Sequence, residues 1–514
     1  MQVVWLKHDL RLADHAPLRA ALASGEHLCL LYVVEPERME QPDESVLHGS
    51  WDLANARSLL QQVETLGGTM QIRVGKPEVI LEKLHEEVGI SGLQSHEESG
   101  LQWSWERDKR VATWCERHGV VWDEHPWNGV VRRLKDRDRW NSLRNRRMLE
   151  SLVEPPSHLP SHPTLPCMDE SGHVFPAFTD LVKTPLEPGE QAAHTWLDSF
   201  LTNRFADYLP TISNPATSPE GSSRLSAYLT SGVLSVRQVK HAITSARRSP
   251  PEGLDLSVFR KNIDAFASRV SWRCHFIQRL EMETSMNTQS INPELDDALA
   301  WVDDEKRFEA WAEGRTGWPF FDACMRSLKA TGWINFRMRA MMQSVAAYTL
   351  WLPWQRTGNH LAQLFIDYEP GIHWSQIHMQ SGITGINSVR AYSIIKQSLD
   401  HDMSGDFIRR WVPELAMVPS PAIHEPWTMS EDMQAATGVV IGRTYPKPIV
   451  DEHAARTAGV KAVHAARRKD EVKQRSANVY ERHGSRARRF QRRRSVPRQP
   501  AKAAPNPQKS LFDF

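Results

Sequence analysis

The chain opens MQVVWLKHDLRLADHAPLRAALASGEHLCLLYVV, residues 1–34, and this stretch decides the first half of the fold. Val3-Val4-Trp5-Leu6 and Leu28-Cys29-Leu30-Leu31-Tyr32-Val33-Val34 are short, unbroken apolar runs, which is how strands read when both faces are buried. Between them, Pro17-Leu18-Arg19-Ala20-Ala21-Leu22-Ala23 has the composition of a crossover helix. Strand, helix, strand in that order predicts a parallel βαβ unit. Further apolar segments at Gln71-Ile72-Arg73-Val74 and Gly119-Val120-Val121-Trp122 alternate with helical patterns around residues 50–65, 77–88 and 103–117. Residues 1–130 therefore read as a doubly wound α/β domain.

Downstream the punctuation changes. Residues 131–195 read as an interdomain linker, because Pro155-Pro156, Pro160, Pro163, Pro166, Pro185 and Pro188 interrupt regular structure. From 196 to 465 the periods are helical and predict an all-α domain. Residues 466–514 are different again. They hold 15 Lys+Arg against 4 Asp+Glu, so the formal charge of +1 is a cancellation between a −10 body and a +11 arm. Arg486-Ala487-Arg488-Arg489, Arg492-Arg493-Arg494 and the Pro-Ala-Lys-Ala-Ala-Pro-Asn-Pro run cannot bury a core, and the arm is expected to be disordered.

At 514 residues, 40% hydrophobic and 24% charged, the chain reads as a soluble, multidomain globular protein. No run of about eighteen apolar residues is present, which argues against a transmembrane span. Met1–Arg11 turns charged at once and lacks a signal-peptide layout. The five cysteines (29, 115, 167, 274, 324) are scattered with no Cys-x-x-Cys pair, so a cytoplasmic protein with free thiols is expected, with no metal site.

The chemistry concentrates in the helical half. Gly221-Ser222-Ser223-Arg224-Leu225-Ser226-Ala227-Tyr228-Leu229 places three hydroxyls and several backbone amides at a helix start, which suits either a phosphate or simply a capped helix. Then come Trp272-Arg273, Trp301 and Trp311-Ala-Glu-Gly-Arg-Thr-Gly-Trp318-Pro319. Gly332-Trp333-Ile-Asn335-Phe-Arg337-Met-Arg339, Trp354 and Asp367-Tyr-Glu369-Pro-Gly-Ile-His373 follow. The Trp-x-x-Gly-x-Thr-Gly-Trp-Pro block, with Asp322-x-x-Met325-Arg326 and Thr331-Gly332-Trp333 after it, resembles the flavin-binding half of the DNA photolyase/cryptochrome family. Val4-Trp5-Leu6-Lys7-His8-Asp9-Leu10-Arg11 is similar to that family's opening strand. Phe407–Leu415, His424–Trp427 and Tyr445–Asp451 are similar to its closing helices.

The resemblance implies FAD as cofactor. Ser222, Ser223, Leu225 and Ser226 would hold its pyrophosphate, with Tyr208 before them and Asn335 beside them. Arg339 and Asp367 would form a buried ion pair near the isoalloxazine, with Glu369 close by. Arg269, Trp272, Arg273 and Arg337 stand where the family meets DNA or a flipped base. Trp301, Trp354 and Trp374 would relay an electron to the flavin. For Trp311, Trp333 and Trp427 core packing is an equal reading.

Departures from the family pattern are specific. Arg269 replaces a lesion-contacting glutamate, Ala340 a methionine (Met341 is adjacent), and Ile377 the flavin-proximal relay tryptophan, for which Trp374 is the substitute. His373 replaces an asparagine near flavin N5. It either supplies a proton, which would favour a (6-4) lesion, or is neutral and structural. The cysteines of the iron–sulfur branch have no counterpart. A second, antenna chromophore of unknown identity would sit in the α/β domain, where His96-Glu97-Glu98, Trp103 and Trp105 mark a location.

The implied function is light-driven DNA repair, by electron transfer from excited reduced FAD to a flipped pyrimidine dimer. The alternative is a cryptochrome-like blue-light receptor without repair activity. The basic arm would attract damaged DNA through its phosphates, and the resemblance implies a monomer associated with the nucleoid. Gln508-x-x-Leu511-Phe512 resembles the short peptide by which bacterial repair proteins dock on the sliding clamp.

Overall fold

Six strands, β1 (Gln2–Leu6), β2 (Leu28–Val34), β3 (Met70–Val74), β4 (Gly92–His96), β5 (Val121–His125) and β6 (Met168–Asp169), form one sheet in the order β5-β4-β1-β2-β3-β6. All pairings are parallel in the computed structural model, which describes residues 1–253 and 255–484. Central β1 explains the apolar opening of the chain. Val3 pairs with Cys29 on one side and Leu93 on the other, so neither edge of the strand is free. Val4 and Leu6 face a core shared with the helix Val46–Thr65. Val3 and Trp5 face a second core under the helices Pro77–Val88 and Gln102–His118. Burying each such side chain completely contributes about 2 kcal/mol.

Strand order reverses between β1 and β4, and Asp9 just after β1 and His96 at the end of β4 bring polar groups to their carboxyl ends. Asp9, His15 and His96 meet there, all buried. His15 Nδ1 accepts the Leu18 backbone N–H, so its proton sits on Nε2, which lies in close polar contact with Asp9 Oδ2, 3.1 Å away. His96 Nδ1 lies 2.6 Å from the same oxygen and donates to it. The two imidazoles hold the Asp9 carboxyl well below its ordinary range. A cation on His15 Nε2 would force a proton onto Nδ1, against the Leu18 N–H, so the cluster reads as a hydrogen-bonded brace. Beside it Arg107 bridges Glu98, Glu35 and Asp108 at 2.5–2.9 Å, and Lys7 lies 3.4 Å from Asp108. The cavities left in this crevice measure about 20 and 40 Å³, room for a few waters. Trp103 lines both; a bulky second chromophore seated here would have to displace side chains.

The α/β layer and the first helices beyond the linker share one core. Trp51 packs on Phe178 and Tyr228 with centroids 5.0 and 5.6 Å apart and donates its Nε1–H to Ala227 O at 3.2 Å. The loop after β1 is clamped to the turn at Ser231-Gly232, where Arg11 Nη1 donates to Gly232 O at 2.7 Å and Leu10 N to Ser231 O at 3.3 Å. Gly232 has φ +69°, and a Cβ there would lie 1.8 Å from His8 O. Only glycine fits.

Two readings of the sequence are corrected. Residues 131–195 are not simply a linker: they supply the helix Trp140–Leu149 and β6, which pairs with β3 at the sheet edge. The prolines bound these short elements without preventing them. The arm is not disordered from 466 onward either, since the helix Asp470–His483 follows. Val472 and Val479, seven residues apart, bury one face of it. Ser476 receives the Asn292 amide at 3.0 Å, and Arg482 pairs with Glu283 at 2.7 Å. Charged positions on the other face made this helix look like a solvated tail. The clamp-like Gln508–Phe512 lies outside the described residues. Among the described residues no helix is long and apolar enough to cross a membrane.

Candidate functional site

A cavity of about 300 Å³ opens among the helices. One wall is the helix Leu256–Met282, which presents Phe266, Arg269, Val270, Trp272, Arg273 and Phe276. A second is the loop Ser222–Leu225 with Tyr208. A third joins Trp333–Ala340 to the helix Pro370–Gln380, with Asp367 and Glu369 preceding it. The sequence thus places thirteen of its candidate positions on one lining: Tyr208, Ser222, Ser223, Leu225, Ser226, Arg269, Trp272, Arg273, Asn335, Arg339, Asp367, Glu369 and His373.

Charge is unequal around this space. Four arginines (224, 269, 273, 339) line it against two carboxylates, Asp367 and Glu369. Arg339 binds Asp367 at 2.9 Å and lies 4.0 Å from the Phe365 ring centroid. Arg273, 6% exposed, reaches Glu369 at 2.6 Å and Leu229 O at 2.8 Å. That leaves Arg224. It is 5% exposed, has its guanidinium 4.1 Å from the Trp333 centroid, and makes one long hydrogen bond, 3.5 Å to Thr184. Burial pushes its pKa down to about 10, and its Nε has no partner. Ser222 Oγ nearby is likewise buried and unpartnered. A buried cation beside an unsatisfied hydroxyl requires an anion. A dinucleotide pyrophosphate supplies two negative charges, so the lining fits FAD.

Arg224 is the functional residue that sequence reasoning passed over, although it stands inside the quoted Ser-rich motif. The helix Ser226–Ser231 is only six residues, so attraction for a phosphate rests on this arginine more than on a helix dipole. Backbone strain marks it too: Arg224 has φ +55°.

Other residues take definite places. Asn335 caps the helix Phe336–Ser344 by accepting Met338 N at 3.0 Å, and donates to Ser218 Oγ at 3.1 Å, so its amide is committed to protein partners. Arg269 sits 5.5 Å from the Tyr208 ring and 5.8 Å from that of Trp272. Arg337 is not on the lining; its charge acts on Tyr392 and His401. Trp311 is fully buried with its Nε1–H on Met342 O, a packing role.

His373 lies 2.9 Å from Gly358 O through Nε2, which fixes the proton on that nitrogen and leaves Nδ1 an acceptor. Burial depresses its pKa to about 3. It is therefore neutral near pH 7, and the proton-donor reading loses its basis.

Trp374 stands just behind the lining residues His373 and Ile377, fully buried. Its ring centroid is 5.9 Å from Trp354. Trp354 and Trp301 both donate to Asp296, and Trp301 lies 5.0 Å from Trp351, which is partly exposed. The three tryptophans singled out in the sequence form a line from cavity wall to surface.

Comparison with known proteins agrees with this layout. A family model described as DNA photolyase matches residues 2–134, and one described as the FAD binding domain of DNA photolyase matches residues 266–465. A deoxyribodipyrimidine photo-lyase of Agrobacterium fabrum is 27% identical over 91% of this chain and 98% of its own. A cryptochrome DASH of Gloeobacter violaceus is 26% identical over 87% of this chain and 93% of its own. The crystal structure of a class III photolyase from Agrobacterium tumefaciens superposes with a TM-score of 0.79 at 26% identity, covering 91% and 98% of the two chains.

Proposed function

Because the chain belongs to the DNA photolyase/cryptochrome family, whose two domain models together span more than half of it, we propose that it is a light-driven DNA repair enzyme acting on pyrimidine dimers. The observation that carries this reading is the cavity: buried, aromatic, cationic in excess, and fitted to FAD as just described. Bound there, FAD supplies light-driven one-electron chemistry, which explains why no hydrolytic constellation is needed.

The chain's own residues position and insulate. Arg224, Ser222, Ser223, Leu225 and Ser226 hold the pyrophosphate. Arg339 and Asp367, together with Arg273 and Glu369, fix two ion pairs at the far wall, and each is worth keeping because an unpaired member would be a buried charge. His373 offers Nδ1 as a neutral acceptor, so it orients and does not protonate. Arg269, between the Tyr208 and Trp272 rings, provides a cation and stacking faces for an extruded base. Trp374, Trp354 and Trp301 deliver electrons from the surface toward the cavity, Trp374 taking the place of the missing ring at Ile377. The arm beyond the last helix recruits the enzyme, through phosphate attraction and through clamp docking by Gln508–Phe512.

The second reading, a photoreceptor without repair, draws on one observation: Arg269 stands where a lesion-contacting glutamate is expected. Illuminating the flavin-reduced holoprotein with cyclobutane-dimer and (6-4) substrates, single- and double-stranded, separates the two. Restored pyrimidines from the cyclobutane dimer are expected, since His373 is no acid. A photoreducible flavin with no restoration from any substrate would establish the receptor reading.

A further inference from the structure

The tryptophan line has a feature that ring spacing alone does not require: each indole N–H is aimed at a carboxylate. Trp374 Nε1 lies 3.2 Å from Asp43 Oδ2 and 3.0 Å from the Tyr368 hydroxyl, which itself donates to Asp43. Trp354 Nε1 lies 3.0 and 2.9 Å from the two oxygens of Asp296. Trp301 Nε1 reaches Asp296 Oδ1 at 2.7 Å. One carboxylate thus serves two successive members of the line.

The two acids differ in their access to water. Asp43 is fully buried, and its Oδ1 has no partner. Asp296 is the last residue but one of the short helix Pro293–Asp297, is half-buried, and forms no salt bridge among the described residues. Without a cation to neutralise it, Asp296 keeps its basicity, and burial raises its carboxyl above the ordinary value. An indole that loses an electron becomes a far stronger N–H acid, and its natural acceptor is the oxygen already hydrogen-bonded to it. Only Asp296 combines that bond with an exit to solvent.

We propose that Asp296 is the proton acceptor of the relay, shared by Trp354 and Trp301. The inference rests on the relay reading given above. Trp374 yields one electron to light-excited oxidised flavin, Trp354 refills Trp374, and Trp301 refills Trp354. The electron deficit now rests on Trp301, whose N–H bond breaks: the proton passes to Asp296 Oδ1 and then to water, leaving a neutral indolyl radical. An electron from a soluble thiol and a proton from water restore Trp301. Proton loss makes the separation difficult to reverse, because electron return would require recapture of the proton. Asp43, sealed from water, holds Trp374 and Tyr368 in place and has no such outlet.

Transient absorption of the holoprotein after a flash tests this directly, since protonated and neutral indole radicals absorb differently. In the unaltered protein the protonated radical should give way to the neutral one with a solvent deuterium isotope effect. Asp296→Asn keeps the hydrogen-bond acceptor but not the base, and should lengthen the protonated radical's lifetime on the order of a hundredfold. Asp296→Glu should restore rapid decay. The same decay and isotope effect in the Asp296→Asn protein would overturn the proposal while leaving the relay intact. Absence of any indole radical in the unaltered protein would overturn the relay, and the proposal with it.

Discussion

Arg224 is the residue on which the cofactor argument turns. It is a buried cation whose neighbours within the protein leave it short of an anion, and such a group is held in place only by what binds it. Arg224→Gln should therefore weaken FAD retention on the order of a hundredfold, read as flavin per protein by absorbance after gel filtration. Flavin content equal to that of the unaltered protein would mean that the pyrophosphate lies elsewhere. The contrast with Arg273 is instructive. Trp272-Arg273 is an obvious feature in the sequence, yet Arg273 is bonded to Glu369, 96 positions away, a partner that no local pattern discloses. Arg224 was written plainly within Ser222-Ser223-Arg224-Leu225, but a lone arginine beside a helix start carries no sign of whether its counter-charge is present.

Among the elements, the turn at Gly232 locks the α/β layer to the helical half. Its positive φ and the closeness of His8 O leave no space for a side chain. Gly232→Ala should cost at least about 2 kcal/mol, seen as a lower melting temperature; an unchanged melt would show that the contact yields without penalty. The same elements show what a sequence can disclose. β1 and β2 were legible because strands buried on both faces leave unbroken apolar runs. β4 was not, although it is central, because Gln94, Ser95 and His96 carry polar groups to the switch-point crevice, where His96 joins Asp9. β6 is two residues long and has no period to read. The helix Asp470–His483 hid behind its charge, since two valines seven residues apart are too few to outweigh Arg and Lys in a composition count. The candidate site was legible through its motifs, whereas the pairing of its charges and the neutrality of His373 depend on burial, which only the folded chain defines.

Over the whole molecule, several histidines are buried neutral. His96, His373 and His378 are each depressed to about 3 by burial. Their unfolded value lies near 6.5, so between these limits the unfolded state binds more protons, and stability falls as pH drops below about 6.5. Each group contributes a slope of about 1.4 kcal/mol per pH unit within that window. Denaturant midpoints at pH 7 and pH 5 should differ accordingly, and His378→Gln should flatten the dependence; equal midpoints at the two pH values would contradict the assignment. Charge also divides the molecule, with an acidic body and a basic arm. Deleting Gln508–Phe514 should abolish binding to a bacterial sliding clamp in a titration, and unchanged affinity would remove the clamp from the account.

The central claim is that this cavity turns light into repair of a pyrimidine dimer. The most direct measurement is the number of thymines restored per bound flavin when the reduced holoprotein and a cyclobutane-dimer oligonucleotide are exposed to blue light, with a dark control. Restoration in light alone, falling in step with flavin content in Arg224→Gln, is the predicted result. Full flavin occupancy with no thymine restored in either light or dark would contradict it.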